Sequence, residues 1–111
     1  MTIDNINSLD IVIPIYNEEQ VIDELFIHLF KFKELMKKKA AVNFILVNDG
    51  STDRSLEMLI SYAEKDPRVK IINLSRNYGH QLAITAGMRH STADYVAIID
   101  ADLQDPIHLI E

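Results

Sequence analysis

The sequence predicts an α/β fold: a three-layer α/β/α sandwich built on a parallel, Rossmann-like sheet in the order 3-2-1-4. Three observations lead there. Four short apolar runs recur along the chain, the kind that form strands buried on both faces. Amphipathic segments of helical period separate them. The two kinds of segment alternate along the chain, which implies a parallel, helix-covered sheet with right-handed crossovers.

The first strand covers residues 9–15, with Ile11, Val12 and Ile13 at its centre. Pro14 lacks a ladder donor and brings the strand to its end. Tyr16-Asn17-Glu18-Glu19 turns into a helix of about residues 18–38. There Val21, Ile22, Leu25, Phe26, Leu29, Phe30, Phe32, Leu35 and Met36 recur with helical spacing, so one face packs on the sheet and the phenylalanines belong to the core. The second strand, residues 41–47, runs into Asn48-Asp49-Gly50-Ser51-Thr52-Asp53. Gly50 permits a sharp turn, and Ser51 or Thr52 can cap the next helix. That helix covers about residues 53–64 with Leu56, Leu59, Ile60 and Ala63 inward, and Asp66-Pro67 ends it. A third strand (residues 69–74) leads through Ser75-Arg76-Asn77-Tyr78-Gly79-His80 to a helix over residues 80–90. Its small residues Ala83, Ala86 and Gly87 allow close approach to the sheet. The fourth strand, residues 94–99, delivers Asp100-Ala101-Asp102-Leu103-Gln104-Asp105-Pro106. Asp105-Pro106 reads as a helix start, an N-cap followed by proline at the first helical position. The sequence stops five residues later, as a piece of a longer protein would.

Composition narrows the function. Hydrophobic residues make up 48% and charged residues 25%, the balance of an ordinary soluble globular domain. No apolar run approaches the roughly 20 residues of a membrane span, and residues 1–8 lack the pattern of a signal peptide. The absence of cysteine excludes disulfides and thiolate metal sites and is compatible with a reducing compartment. A net charge of −6 argues against a nucleic-acid partner held by its phosphates. Lys31, Lys33, Lys37, Lys38 and Lys39 cluster at a helix end. A solvated C-terminus favoured by the helix dipole is the main reading, and contact with an anionic membrane surface the other.

In an open parallel sheet, ligands bind beyond the carboxyl ends of the strands, where the strand order reverses. Here that point lies between strands one and four. Strand one brings Pro14, Tyr16, Asn17 and Glu18; strand two Asn48, Asp49, Gly50 and Ser51; strand three Arg76, Asn77 and His80; strand four Asp100, Asp102 and Gln104. Like charges at a buried strand tip are costly unless a cation sits among them. Asp102 and Asp100 offer hard oxygens for Mg²⁺ or Mn²⁺, and Gln104 an amide oxygen. Such an ion completes its shell with ligand phosphates, and it would neutralise a pyrophosphate leaving group. Asp49 can accept from a base edge, Glu18 from a ribose hydroxyl, Tyr16 can flank a base, and Arg76 can fork onto phosphate. Plainer roles stay open. Glu18 suits a helix N-terminus, Asp49 can bond its own backbone in a turn, Arg76 can form a surface ion pair, and His80 can merely begin a helix. His28, His90 and His108 read as surface positions. No Cys-His or Ser-His-Asp pattern argues for a nucleophilic triad.

Three ordered segments carry a resemblance: Val12-Ile13-Pro14-Ile15-Tyr16-Asn17-Glu18-Glu19, Val47-Asn48-Asp49-Gly50-Ser51-Thr52-Asp53 and Asp100-Ala101-Asp102-Leu103-Gln104-Asp105-Pro106. From residue 9 to its end the chain resembles the family 2 glycosyltransferases of GT-A fold. With Ser75-Arg76-Asn77-Tyr78-Gly79-His80 it is most similar to the branch acting on polyprenyl phosphates, including dolichol-phosphate mannosyltransferase and undecaprenyl-phosphate glucosyltransferases. The resemblance implies that Pro14, Tyr16, Glu18 and Asp49 bind the nucleoside, with Asp100 beside the ribose and metal and Asp102 and Gln104 as metal ligands. Asp100 and Asp102 would then be the catalytic pair. It further implies inverting transfer from a UDP- or GDP-sugar to a polyprenyl (undecaprenyl or dolichyl) phosphate, at the cytoplasmic face of a membrane. Residues 1–8 are then an N-terminal tail, and residues 9–111 the nucleotide-sugar-binding half of the domain. Acceptor-binding and membrane-associating regions belong to the part of the family that this sequence does not cover. An exposed sheet edge left by that division would favour self-association. Three alternatives accompany this reading: a family 2 transferase acting on a saccharide hydroxyl, a non-catalytic nucleotide-binding module, and a phosphotransferase with Asp100 as nucleophile.

Overall fold

The computed structural model describes residues 7–102. Its sheet is parallel and has the expected order, β3-β2-β1-β4. β1 (Ser8–Ile15) pairs with β2 (Ala41–Asn48) along its whole length, from Ser8 opposite Ala41 to Ile15 opposite Asn48. On its other side β4 (Tyr95–Ile98) aligns Leu9 with Tyr95 and Val12 with Ile98. β3 (Val69–Asn73) flanks β2, with Phe44 opposite Val69 and Asn48 opposite Asn73.

The period-2 pattern of β1 and β2 divides the core into two layers. Leu9, Ile11, Ile13 and Ile15, with Val42, Phe44 and Leu46, meet Ile22, Leu25, Phe26, Leu29, Phe32 and Met36 of α1 (Ile22–Met36) and Leu59 of α2 (Ser55–Lys65). Val12, Ile45 and Val47 face the other way, toward Ala83 of α3 (His80–His90). The hand of the crossovers accounts for this division. The chain steps outward from β1 to β3, then returns past β2 and β1 to reach β4. Right-handed connections running in opposite directions put their helices on opposite faces. Gly87 lets α3 seat closely, since a Cβ there would lie 2.4 Å from Val12 Cγ1 and 3.1 Å from Val47 Cγ2.

Several local expectations are corrected. α1 begins at Ile22 rather than at residue 18, because Asn17 adopts φ 51° and the Glu18 carbonyl closes a separate turn onto the N–H groups of Val21 and Ile22. Leu35 is 73% exposed and Ile60 44% exposed; each is one helical step off the buried stripe marked by Met36 and Leu59. Neither Ser51 nor Thr52 caps α2; Asp53 Oδ1 accepts from Ser55 N–H instead, at 2.8 Å. β3 and β4 each close one residue short of expectation, at Asn73 and Ile98, and β4 starts one residue late at Tyr95, whereas β1 starts one residue early at Ser8 and β2 runs one residue further, to Asn48. At the amino end of the sheet Asp10 is buried, and its carboxylate accepts from Ser91 Oγ at 2.7 Å, tying down the end of α3.

Candidate active site

Three loops at the carboxyl edge interlock through hydrogen bonds of their own. Asn17 joins the first to the second: its Oδ1 accepts from Thr52 N–H at 2.7 Å and from Asp53 N–H at 3.3 Å, and its own N–H donates to Ser51 Oγ at 3.0 Å. Asparagine tolerates the left-handed conformation this requires. Glu18 N–H donates to Ser55 Oγ and Glu19 N–H to Asp53 Oδ2, at 2.8 and 3.2 Å. Ser51 and Thr52, expected to cap α2, instead hold the β1–α1 turn through Asn17, and Ser55 joins them through Glu18.

Asp49 and Gly50 join the second loop to the third. Asp49 is only 3% exposed, yet its carboxylate is well satisfied. Oδ1 accepts from Tyr78 N–H at 2.7 Å, while Oδ2 accepts from Gly79 N–H at 3.0 Å and from Asn77 Nδ2 at 3.2 Å. Asn77 Nδ2 also donates to the Asp49 carbonyl, at 3.1 Å. A Cβ on Gly50 would lie 2.3 Å from Asn77 N, so the close approach, as well as φ 73°, demands glycine. The backbone that Asp49 binds is thus that of another loop rather than its own.

These loops wall a cleft of about 530 Å³, lined by Pro14, Ile15, Tyr16, Glu18, Asp49, Asn77, Gly79, His80, Asp100, Ala101 and Asp102. It lies over β1 and β4, at the reversal of strand order. Glu18, Asp100 and Asp102 make it acidic. Burial holds the Glu18 carboxyl above its usual range, and the charges of Asp102, Asp53 and Asp100 add to the effect. His80 Nε2 approaches Asp100 Oδ1 at 3.8 Å, too far for a hydrogen bond. Among the described residues no cluster of three or more Asp, Glu or His side chains is placed to cage an ion by itself. Two exposed carboxylates of hard oxygen nevertheless suit a divalent ion that takes its remaining ligands from phosphate and water.

Pro14, Tyr16, Glu18, Asp49, Asp100 and Asp102 of the expected set therefore converge on this cleft. Arg76 is not among its lining residues. It borders the adjoining groove, which shares Tyr16 and Asn77 with the cleft, and its guanidinium lies 4.8 Å from the centre of the Tyr78 ring. Gln104, Asp105, Pro106 and His108 lie outside the described residues. Sequence reasoning left the bridging role of Asn77 unassigned, although Asn77 and Gly79 sit in the polar turn it marked.

Residues 10–111 match the profile described as Glycosyl transferase family 2. The chain belongs to that family. It is 54% identical over 101 residues to an uncharacterized glycosyltransferase, YkcC, of Bacillus subtilis (strain 168), covering 90% of this chain and 30% of the relative. It is 41% identical over 106 residues to the undecaprenyl-phosphate 4-deoxy-4-formamido-L-arabinose transferase of Proteus mirabilis (strain HI4320), covering 95% of this chain and 32% of that one. A mannosyltransferase from Pyrobaculum calidifontis, solved in complex with GDP-Man and Mn²⁺, superposes with a TM-score of 0.75 at 22% identity, over 94% of this chain and 34% of the other. This likeness carries the GT-A fold. The family 2 chain spans about a third of the length of these relatives.

Proposed function

We propose that this chain is the donor-binding half of an inverting glycosyltransferase that moves a sugar from a UDP- or GDP-sugar to a polyprenyl phosphate. The observation that carries the reading is the acidic cleft at the switch point, walled by the carboxyl end of β1 and by the segments that follow β1, β2, β3 and β4. The Proteus mirabilis relative, described as acting with undecaprenyl phosphate, supports the acceptor class. The GDP-Man and Mn²⁺ held by the Pyrobaculum mannosyltransferase support the donor and the ion.

In this reading Pro14 and Tyr16 flank the nucleoside and Glu18 accepts from a ribose hydroxyl. Asp49, in the cleft lining, stands at the base end, and Arg76 takes phosphate from the adjoining groove. Asp100 and Asp102, with Gln104 as a third donor, would hold Mg²⁺ or Mn²⁺, which when bound offsets the negative charge of the diphosphate. An acceptor phosphate oxygen attacks the anomeric carbon from the face opposite the diphosphate. The bond to the leaving oxygen breaks with its electron pair staying on the diphosphate, and configuration inverts. A phosphate monoester, with a second pKa of about 6, is already largely ionised, so no strong general base is required. Regions beyond this chain supply the acceptor side and the attachment to the cytoplasmic face of the membrane.

Calorimetry of the full-length protein tests the donor site. UDP or GDP is expected to bind with Mg²⁺ or Mn²⁺ present, and Asp102→Asn to weaken that binding by about ten-fold or more. Equal nucleotide affinity with and without the ion would sink the reading.

A further inference from the structure

We infer that His80 is the residue of this chain that receives the outer phosphate of the donor, donating Nε2–H to the oxygen on which charge develops as the sugar leaves. The inference rests on the nucleotide-sugar reading of the cleft and deepens it.

The placement of hydrogen-bond donors carries the argument. Four carboxylates line the cleft: Glu18, Asp49, Asp100 and Asp102. A diphosphate entering among them needs N–H groups as well as an ion. Among the lining residues Asn77 and His80 carry side-chain N–H groups, and the Asn77 amide is occupied on both the carbonyl and the carboxylate of Asp49. His80 is differently situated. Its ring is half-exposed in the cleft wall, and it faces Asp100 across 3.8 Å, a gap wider than a hydrogen bond and narrow enough for both groups to share one ligand.

The backbone around His80 supports the same role. His80 is the first residue of α3, whose N-cap Gly79 has no side chain and adopts φ 103°. The first turn of α3 contains no acidic residue and has no side-chain cap. A Cβ built on Gly79 would meet nothing within 4 Å, so space stands open in front of the helix end. The Gly79 N–H is turned to Asp49, which fixes the direction in which His80 leaves the loop. The helix dipole adds to the preference for an anion at that end.

The reaction balances without a change in the charge of His80. The anomeric C–O bond breaks, its electron pair goes to the phosphate oxygen, the acceptor oxygen forms the new bond, and the imidazole remains a donor throughout. A donor aimed at developing charge lowers the barrier more than it tightens ground-state binding.

Nucleoside, nucleoside monophosphate and nucleoside diphosphate of the uridine and guanosine series, each with Mg²⁺, would be titrated into the full-length protein and its His80→Ala and His80→Gln variants. Steady-state transfer to a short polyprenyl phosphate would be measured beside them. For Ala we expect about a ten-fold loss of diphosphate affinity, a larger fall in kcat than rise in KM, and nucleoside and monophosphate affinities within about two-fold of wild type. Gln, which retains an N–H, recovers most of the loss. An equal loss for all three ligands would mean that His80 only supports the loop, and unchanged diphosphate binding with unchanged kcat would remove the role; both overturn the inference while leaving the donor site intact. Wild-type protein that binds none of these nucleotides would overturn the site reading itself, and the inference with it.

Discussion

Glu18 stands among negative charges at the mouth of a half-buried turn. Burial and the neighbouring Asp102, Asp53 and Asp100 hold its pKa above the ordinary value of 4.5. A carboxyl raised in the fold favours folding while it is protonated; that contribution is complete below the ordinary value and is lost as pH rises through the folded one. At neutral pH the ionised group is therefore a small burden on the ligand-free protein. Glu18→Gln should raise the melting temperature at pH 7 by about 1–2 °C, a modest figure because solvent screens much of the repulsion. The gain should vanish near pH 4, as differential scanning calorimetry at both pH values will show. Asp49 is the contrasting carboxylate, nearly buried yet satisfied by two backbone N–H groups and an amide.

At the level of elements, two glycines decide how closely parts of the chain approach one another. Gly50 brings the second loop against the peptide joining Arg76 and Asn77, and Gly87 seats α3 on Val12 and Val47. Their substitution should have distinct consequences. Gly87→Ala forces a methyl into packed side chains and should cost about 1–3 kcal/mol in chemical denaturation. Gly50→Ala meets backbone, which cannot move aside as a side chain does, and must also hold φ 73°. It should cost at least as much and, unlike Gly87→Ala, weaken nucleotide binding, because it parts the two loops that wall the cleft. Equal binding by the two variants would show that the interlock has no bearing on the site.

Across the whole molecule, the cleft draws on both layers of the fold: β1 and β2 at the centre, α3 from one face, and the β1–α1 turn from the other. A ligand there ties together segments far apart in sequence and should stabilise them as one unit. At one hundred times its dissociation constant, a nucleotide–metal complex adds about 2.7 kcal/mol. The melting temperature of the full-length protein should rise accordingly with UDP or GDP and Mg²⁺, and EDTA should abolish the rise. β4 is the open edge of the sheet, with Tyr95, Val96 and Ile98 between 37% and 43% exposed. The relatives are about three times as long as this chain.

The amino-acid sequence by itself determined the alternation of strands and helices, the parallel sheet and the order of its strands. Those follow from periods of 2 and 3.6 residues and from the hand of crossovers, which are local or general rules. It also determined that polar groups collect at one edge, since each strand carries them at its carboxyl end. Tertiary structure alone decided what those groups do to one another. Asp49 meets partners 28 to 30 residues away, Ser51 and Ser55 turn back to the β1–α1 turn, and Asp10 reaches Ser91 across 81 residues. Periodicity states which face a residue occupies and nothing about which neighbouring loop its hydrogen-bonding groups will find. That depends on register and on the approach of one backbone to another, which two glycines allow. The same approach sets His80 across from Asp100, a juxtaposition that no spacing along the chain encodes.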